Sequence, residues 1–205
     1  MNPQLLKTIQ GIVETVSVSN ERQTVLQPLI DYVQERVARR EPVNLTFICT
    51  HNSRRSHFSQ VWAQCAAAYF NIPEVYCYSG GTEETALFPA VAETLLAHGF
   101  HVFNISHGQN PVYAIKYDVN AQPLIGFSKT YDSPFNPSSA FAAVMTCSQA
   151  DSGCPFIAGA DKRIPLTFED PKVSDGTPDQ GRVYTERSVQ IAAEMLFVFS
   201  KVNFI

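Results

Sequence analysis

The sequence predicts an α/β fold: a doubly wound parallel sheet with helices on both faces, preceded by a short helical extension. Two observations predict the sheet. Short apolar runs of strand length, Leu45-Thr46-Phe47-Ile48, Val75-Tyr76-Cys77-Tyr78-Ser79 and Phe141-Ala142-Ala143-Val144-Met145, read as buried strands. The first two are each followed by a helical pattern, and strand-helix alternation argues parallel pairing. The third observation is length. The 205 residues suffice for one full core and one appendage.

Taken in order, residues 4 to 40 read as two helices. Leu5, Leu6, Ile9, Ile12, Val13 and Val16 share a face of the first. Ser19 or Asn20 caps the second, which carries Val25, Leu29, Ile30, Val33 and Val37, and Arg36, Arg39 and Arg40 suit its C-terminal dipole. Pro42 closes the segment. After the first strand, Phe58, Val61, Trp62, Cys65, Ala66 and Tyr69 fall at helical spacing, with Ser56 a candidate N-cap. Gly80-Gly81 ends the second strand, and residues 89 to 97 form a helix stopped by His98-Gly99. Residues 104 to 140 read as an irregular insertion, a hairpin at most. Tyr117-Asp118-Val119 and Leu124-Ile125-Gly126-Phe127 are its β-like runs, and Tyr113, Tyr117, Phe127 and Tyr131 are aromatics that could border a site. Residues 148 to 163 read as a loop. Residues 182 to 202 form the last helix, with Ile191, Met195, Val198 and Val202 on one face.

The chemistry concentrates between the first strand and its helix, in Cys49-Thr50-His51-Asn52-Ser53-Arg54-Arg55-Ser56. Cys49 leaves a strand and faces a helix start, where free amides and the positive end of the dipole bind oxyanions and favour a nucleophilic thiolate. Arg55, six residues on, has a planar fork that can take two oxygens of a tetrahedral anion. Cys-x5-Arg in this context joins a nucleophile, an amide cradle and an anion clamp in one loop. A second feature is Cys147 at a strand end and Cys154 in the following loop. The spacing is too wide for a Cys-x-x-Cys motif, and zinc ligation would want a second pair. The two are either structural or close a disulfide once the loop brings their Cα atoms to within about 6 Å. Asp170-Pro171 is a third feature, which taken alone reads as a turn opener. His51 and His57 read as loop and helix-start surface. Cys65 and Cys77 lie on apolar faces and read as core.

The Cys49–Ser56 segment resembles the signature loop of the low-molecular-weight protein tyrosine phosphatase superfamily, which includes the thioredoxin-coupled arsenate reductases. The family usually has glycine where this chain has His51, and often cysteine where it has Arg54. Asn52 can supply the positive φ that a tight loop wants. Ser79-Gly80-Gly81-Thr82-Glu83 loosely resembles a turn of the arsenate-reductase branch. The resemblance implies Cys49 as nucleophile, residues 50 to 56 (Thr50, His51, Asn52, Ser53, Arg54, Arg55 and Ser56) as the oxyanion loop, and Asp170 as general acid. It implies that Cys147 and Cys154 carry a disulfide relay to thioredoxin, as the reductase branch has a cysteine pair at this spacing. It further implies that Ser56 hydrogen-bonds the Cys49 thiolate. The phosphatase branch needs only Cys49, Arg55 and Asp170. A non-enzymatic redox or oxyanion-sensing module, detuned by His51 and Arg54, is the third class of function.

Bulk composition limits the rest. A net charge of −4 and a pI near 5.7 leave no basic footprint for nucleic acid. No apolar run reaches the roughly 18 residues of a membrane span, and the first residues lack a signal-peptide shape. Five cysteines form no disulfide framework and fit a reducing cytoplasm. No cofactor or metal is expected. The sequence thus predicts a helical extension over residues 1–41 and, over 42–205, a catalytic domain with a sheet of about four parallel strands. The resemblance implies that this domain acts on arsenate or a phosphate-type oxyanion, with arsenate reduction the leading activity and aryl phosphate hydrolysis the alternative.

Overall fold

The computed structural model describes residues 1–154 and 156–204. Four parallel strands form the main sheet in the order β2-β1-β6-β7. These are β1 (Val43–Cys49), β2 (Val75–Gly81), β6 (Phe141–Met145) and β7 (Ala160–Pro165). Strand β1 is central, and both neighbours bring their C-terminal ends to its own. Phe47 pairs with Ser79 on one side and Val144 on the other. Successive side chains point to opposite faces. Leu45, Phe47, Ala142 and Val144 join the larger core, while Ile48, Ala143 and Met145 join a smaller one with Cys49, Cys147 and Ala150.

The larger core is closed by α3 (Arg55–Tyr69), α4 (Pro89–His98) and α6 (Gln180–Ser200), together with α1 (Pro3–Thr15) and α2 (Asn20–Ala38). Trp62 is fully buried there, with its indole N–H donating to Ser188 Oγ at 2.9 Å. Leu5, Ile9, Leu26, Leu29 and Val33 enter the same core, so the N-terminal helices pack into it directly. Ser19 caps α2, as expected. Val13, Val16 and Val25, placed on the buried faces from periodicity, are exposed.

Several expectations need correction. Residues 101 to 126 are an ordered antiparallel sheet of β3 (His101–Asn104), β4 (Tyr113–Lys116) and β5 (Leu124–Gly126). The expected strand at Tyr117-Asp118-Val119 is a turn. The Asp118 carboxylate accepts from Asn120 N at 2.8 Å, which closes the chain on itself. Residues 148 to 163 are not all loop. They contain α5 (Ser148–Gly153) and the start of β7. The polar sequence Ala160-Asp161-Lys162-Arg163 hides β7 because it is an edge strand, largely solvated on one side. Helix α3 begins at Arg55 with Arg54 at the N-cap position and no side-chain cap. Ser56 lies inside its first turn. The stop of α4 is as read, with Gly99 at φ 101° in the left-handed conformation.

Candidate active site

The turn from β1 into α3 is shaped by where its carbonyls go. Cys49 O accepts from Thr82 N, and Thr50 O from Glu83 N and Thr82 Oγ1. His51 O accepts from Thr85 Oγ1 and Ser128 Oγ, and Ser53 O from Phe88 N. The carbonyls therefore face outward onto residues 82–88 and 128. The amides of residues 50–56 meet no protein acceptor among the described residues. Inward-facing, unpaired N–H groups at a helix start form an anion-binding concavity. The close approach demands glycine at the end of β2: a Cβ on Gly81 would stand 2.3 Å from Glu83 O and 2.7 Å from Asn52 N.

Asn52 carries the positive φ of the loop, at 43°. That is the role expected of it, and it leaves His51 with ordinary backbone geometry. Its side chain holds two elements at once. Nδ2 donates to Ser56 Oγ at 2.8 Å, and Oδ1 accepts from Lys129 N at 3.0 Å. Ser56 Oγ then lies 3.2 Å from Cys49 Sγ. The Ser56 hydroxyl thus meets the sulfur, as anticipated, and does so in place of capping the helix. Cys49 itself is 3% exposed.

His57 is fully buried, which corrects its assignment to the surface. Nε2 lies 2.9 Å from Asn52 O, which can only accept, so Nε2 bears the proton and Nδ1 accepts from Ser79 Oγ at 3.2 Å. Burial, with Lys129 nearby, pushes the pKa of His57 down to about 3. It is a neutral brace. His51 is partly exposed, 3.6 Å from the Glu83 carboxylate.

Arg55 is buried at the foot of the loop. Nη1 donates to Phe168 O at 3.0 Å, and Nη2 to Asp170 Oδ2 at 2.6 Å. Two of five N–H donors are used, which leaves three for an anion. The other Asp170 oxygen accepts from Lys172 N, capping a short 3-10 turn at Pro171–Ser174. Asp170 is thereby fixed beside Arg55. Arg54 leads elsewhere: its Nε donates to Tyr184 Oη and Nη2 to Asp175 Oδ2, each at 2.5 Å, and its guanidinium stacks 4.1 Å over Phe88. Its charge is matched by Asp175.

Cys147 ends the run that follows β6. It lies next to the loop because β1 and β6 stay paired up to Ile48 opposite Met145, and Thr146 N still donates to Ile48 O beyond that pair. Its Sγ is 3.4 Å from Thr50 Oγ1 and accepts from Ala150 N at 3.3 Å, so Cys147 N-caps α5. Cys154 stands at the other end of α5 and packs against the cluster that holds Cys49 and Cys147. Arg163 fastens that end, with Nε on Cys154 O at 3.0 Å and Nη2 on Asp151 Oδ1 at 2.5 Å. Cys65 and Cys77 are buried in the main core, and burial pushes their thiols up. Among the described residues, no three His, Cys, Asp or Glu side chains converge as metal ligands would. No helix among the described residues is long and apolar enough to cross a membrane.

The sequence missed the supports. Asp175 and Tyr184, which hold Arg54, lie 121 and 130 residues from it in the chain. Arg22 of α2 chelates Glu194 through Nε and Nη2, donates to Thr167 O, and sits over the Phe168 ring, beside the segment that carries Asp170. No local pattern marks such pairs. Of the expected aromatics, Tyr131 packs against the cysteine cluster, while Tyr113 and Tyr117 pack against the main core.

No protein-family model and no curated protein matches the chain. Solved structures do. A low-molecular-weight phosphotyrosine phosphatase from Vibrio cholerae O395 superposes with a TM-score of 0.52 at 10% identity, over 77% of this chain and 94% of that one. An arsenate reductase in its phosphate-binding state matches at 0.46 and 16% identity, over 78% and 99%. An arsenate reductase from Archaeoglobus fulgidus matches at 0.43 and 18%, over 72% and 95%. The four-stranded parallel sheet with its surrounding helices is thus the fold of the low-molecular-weight phosphotyrosine phosphatases.

Proposed function

We propose that the protein reduces arsenate to arsenite through a cysteine relay recharged by thioredoxin. The observation that carries this is the position of Cys147. It is buried, hydrogen-bonded to the oxyanion loop through Thr50, and placed at the end of the strand adjoining the one that delivers Cys49. Phosphoester hydrolysis has no use for a second thiol there.

In this scheme residues 1–41 are an extension added to a catalytic unit of residues 42–205. Arsenate enters the amide concavity and displaces part of the Asp170 contact on Arg55. The Cys49 thiolate attacks arsenic and an oxygen leaves as water, with Asp170 supplying the proton. The Cys147 thiolate then attacks the Cys49 sulfur. The As–S bond breaks with its electron pair on arsenic, so As(V) becomes As(III), arsenite departs, and a Cys49–Cys147 disulfide remains. The Cys154 thiolate attacks Cys147, frees Cys49 as thiolate, and leaves a Cys147–Cys154 disulfide for thioredoxin to reduce. A reducing cytoplasm suits five free thiols.

The geometry sets a requirement. Seven residues along a helix span on the order of 10 Å, whereas bridged Cα atoms lie about 4.4–6.8 Å apart. Helix α5 must unwind for the final disulfide to close. The test is NADPH consumption with thioredoxin and thioredoxin reductase, with and without arsenate. Sustained arsenate-dependent consumption that Cys147→Ser abolishes is the expected result. No consumption, with aryl phosphate hydrolysis that is indifferent to Cys154→Ser, would move the protein to the phosphatase chemistry that Cys49, Arg55 and Asp170 also serve.

A further inference from the structure

A polar cavity of 540 Å³ lies beside the catalytic loop, between residues 167–170, helix α6 and the second N-terminal helix. Arg55 and Asp170 form one wall, and the cavity runs from them toward Arg187 and Arg22. Its volume falls within the range of organic-ligand pockets, about 300–1,000 Å³. A single inorganic oxyanion on the Cys49 loop does not account for it.

The charges in the cavity are unequally matched. Arg22 is chelated by Glu194 and Arg55 is paired with Asp170. Arg187 has no carboxylate at ion-pair distance among the described residues. Its Nη1 donates to Gln190, and its Nε is buried with no hydrogen-bond partner among the described residues. An unpaired, buried donor on a permanent cation costs folding free energy, and such a group calls for a reason in the structure around it. Arg187 feels Glu169, Glu194 and Asp170 only through space, and burial holds its pKa below the ordinary arginine value. Ser148 and Gln149, from the first turn of α5, add neutral polar groups to the lining. The guanidinium of Arg187 is planar and bidentate, which suits a carboxylate or a tetrahedral anion.

Resting on the Cys49 loop being an oxyanion site, we propose that this cavity is a second anion subsite clamped by Arg187, holding an anionic group beside the oxyanion bound at Cys49. Two sources share that chemistry: a second inorganic oxyanion, or the carboxylate of an organic molecule whose phosphate-like end occupies the loop. In either case Arg187 meets an anionic group next to the one held at Arg55.

The experiment is calorimetric titration of inorganic phosphate, benzylphosphonate and 4-carboxybenzylphosphonate into the full-length protein and into Arg187→Gln and Arg187→Lys. If the carboxylate of an organic ligand is the natural occupant, the carboxylated phosphonate binds about tenfold tighter than benzylphosphonate. Arg187→Gln then removes that advantage, and Arg187→Lys restores part of it. If a free oxyanion is the occupant, two phosphates bind to the wild type and one to Arg187→Gln. One phosphate site together with equal affinities for the two phosphonates in the wild type overturns the proposal. So does an advantage that survives Arg187→Gln. Protection of Cys49 from iodoacetamide by phosphate is read in parallel. Its absence would indict the Cys49 site, while loss of the Arg187 dependence alone indicts the subsite.

Discussion

Replacing Arg163 with methionine should make the Cys147–Cys154 disulfide easier to form. In the reduced protein the Arg163 guanidinium donates to Cys154 O at 3.0 Å, to Asp151 Oδ1 at 2.5 Å and to the Asp151 carbonyl. These bonds hold α5 in the helical form that keeps the two cysteines apart. Closing the disulfide draws Cys154 several ångströms toward Cys147, so its carbonyl leaves Arg163. The contacts therefore stabilise the dithiol relative to the disulfide. Hydrogen bonds to a charged group are worth about 1.5–3 kcal/mol when well buried. Arg163 and Asp151 side chains are 25% and 30% exposed, and water replaces part of what is lost. A total of about 1.5–3 kcal/mol for the three is reasonable, and at 1.4 kcal/mol per 30 mV this is about 30–65 mV. Losing them destabilises the dithiol, so the reduction potential should become more negative by that amount. Redox equilibration against dithiothreitol, with alkylation and mass spectrometry of the Cys147–Cys154 peptide, measures it. An unchanged or more positive potential would refute the claim that α5 must open.

Three further outcomes follow from the site. Asn52→Ala puts a side chain without local hydrogen bonding at φ 43° and removes the bonds to Ser56 and to Lys129 N. It should cost about 2–4 kcal/mol in urea unfolding and weaken phosphate inhibition, and a loss below 1 kcal/mol would contradict this. Arg55→Lys replaces the planar fork with a point charge and should weaken oxyanion inhibition at least about tenfold, with affinity unchanged being the contrary result. His57 and His98 are neutral in the fold, pushed down by burial to about 3 and about 4. An unfolded histidine titrates near 6.5, so their contribution is full above that pH and is lost as pH falls toward the folded values. At pH 5 the loss is about 2 kcal/mol each, and equal stability at pH 5 and pH 7 would argue against it.

What could be read from the sequence was local. Leu45 to Ile48 announced β1 by composition, Ser19 announced α2 by its capping chemistry, and Gly99 announced the end of α4 by its backbone freedom. The arrangement of the loop was legible because Cys49, Asn52, Arg55 and Ser56 lie within eight residues of one another. Features that depend on distant partners were not. Ser56 looked like a cap until Cys49 and Asn52 claimed its hydroxyl. His57 looked exposed at a helix start, yet the end of β2 and Lys129 cover it. Strand β7 was masked because an edge strand does not need an apolar pattern on every position. Helix α5 has six residues, too few for periodicity to register, and it is defined chiefly by the Cys147 cap and the Arg163 clasp.

The central claim is that Cys49, Cys147 and Cys154 act in sequence on arsenate. The most direct test is a single turnover: reduced protein, excess arsenate, no external reductant, then quantification of arsenite and peptide mapping of disulfides. The account predicts one arsenite per protein chain and a disulfide between Cys147 and Cys154. It also predicts a Cys49–Cys147 bond trapped in Cys154→Ser, and no arsenite from Cys147→Ser. Arsenite formed without Cys147, or no arsenite and no disulfide from protein that hydrolyses aryl phosphates, would contradict it.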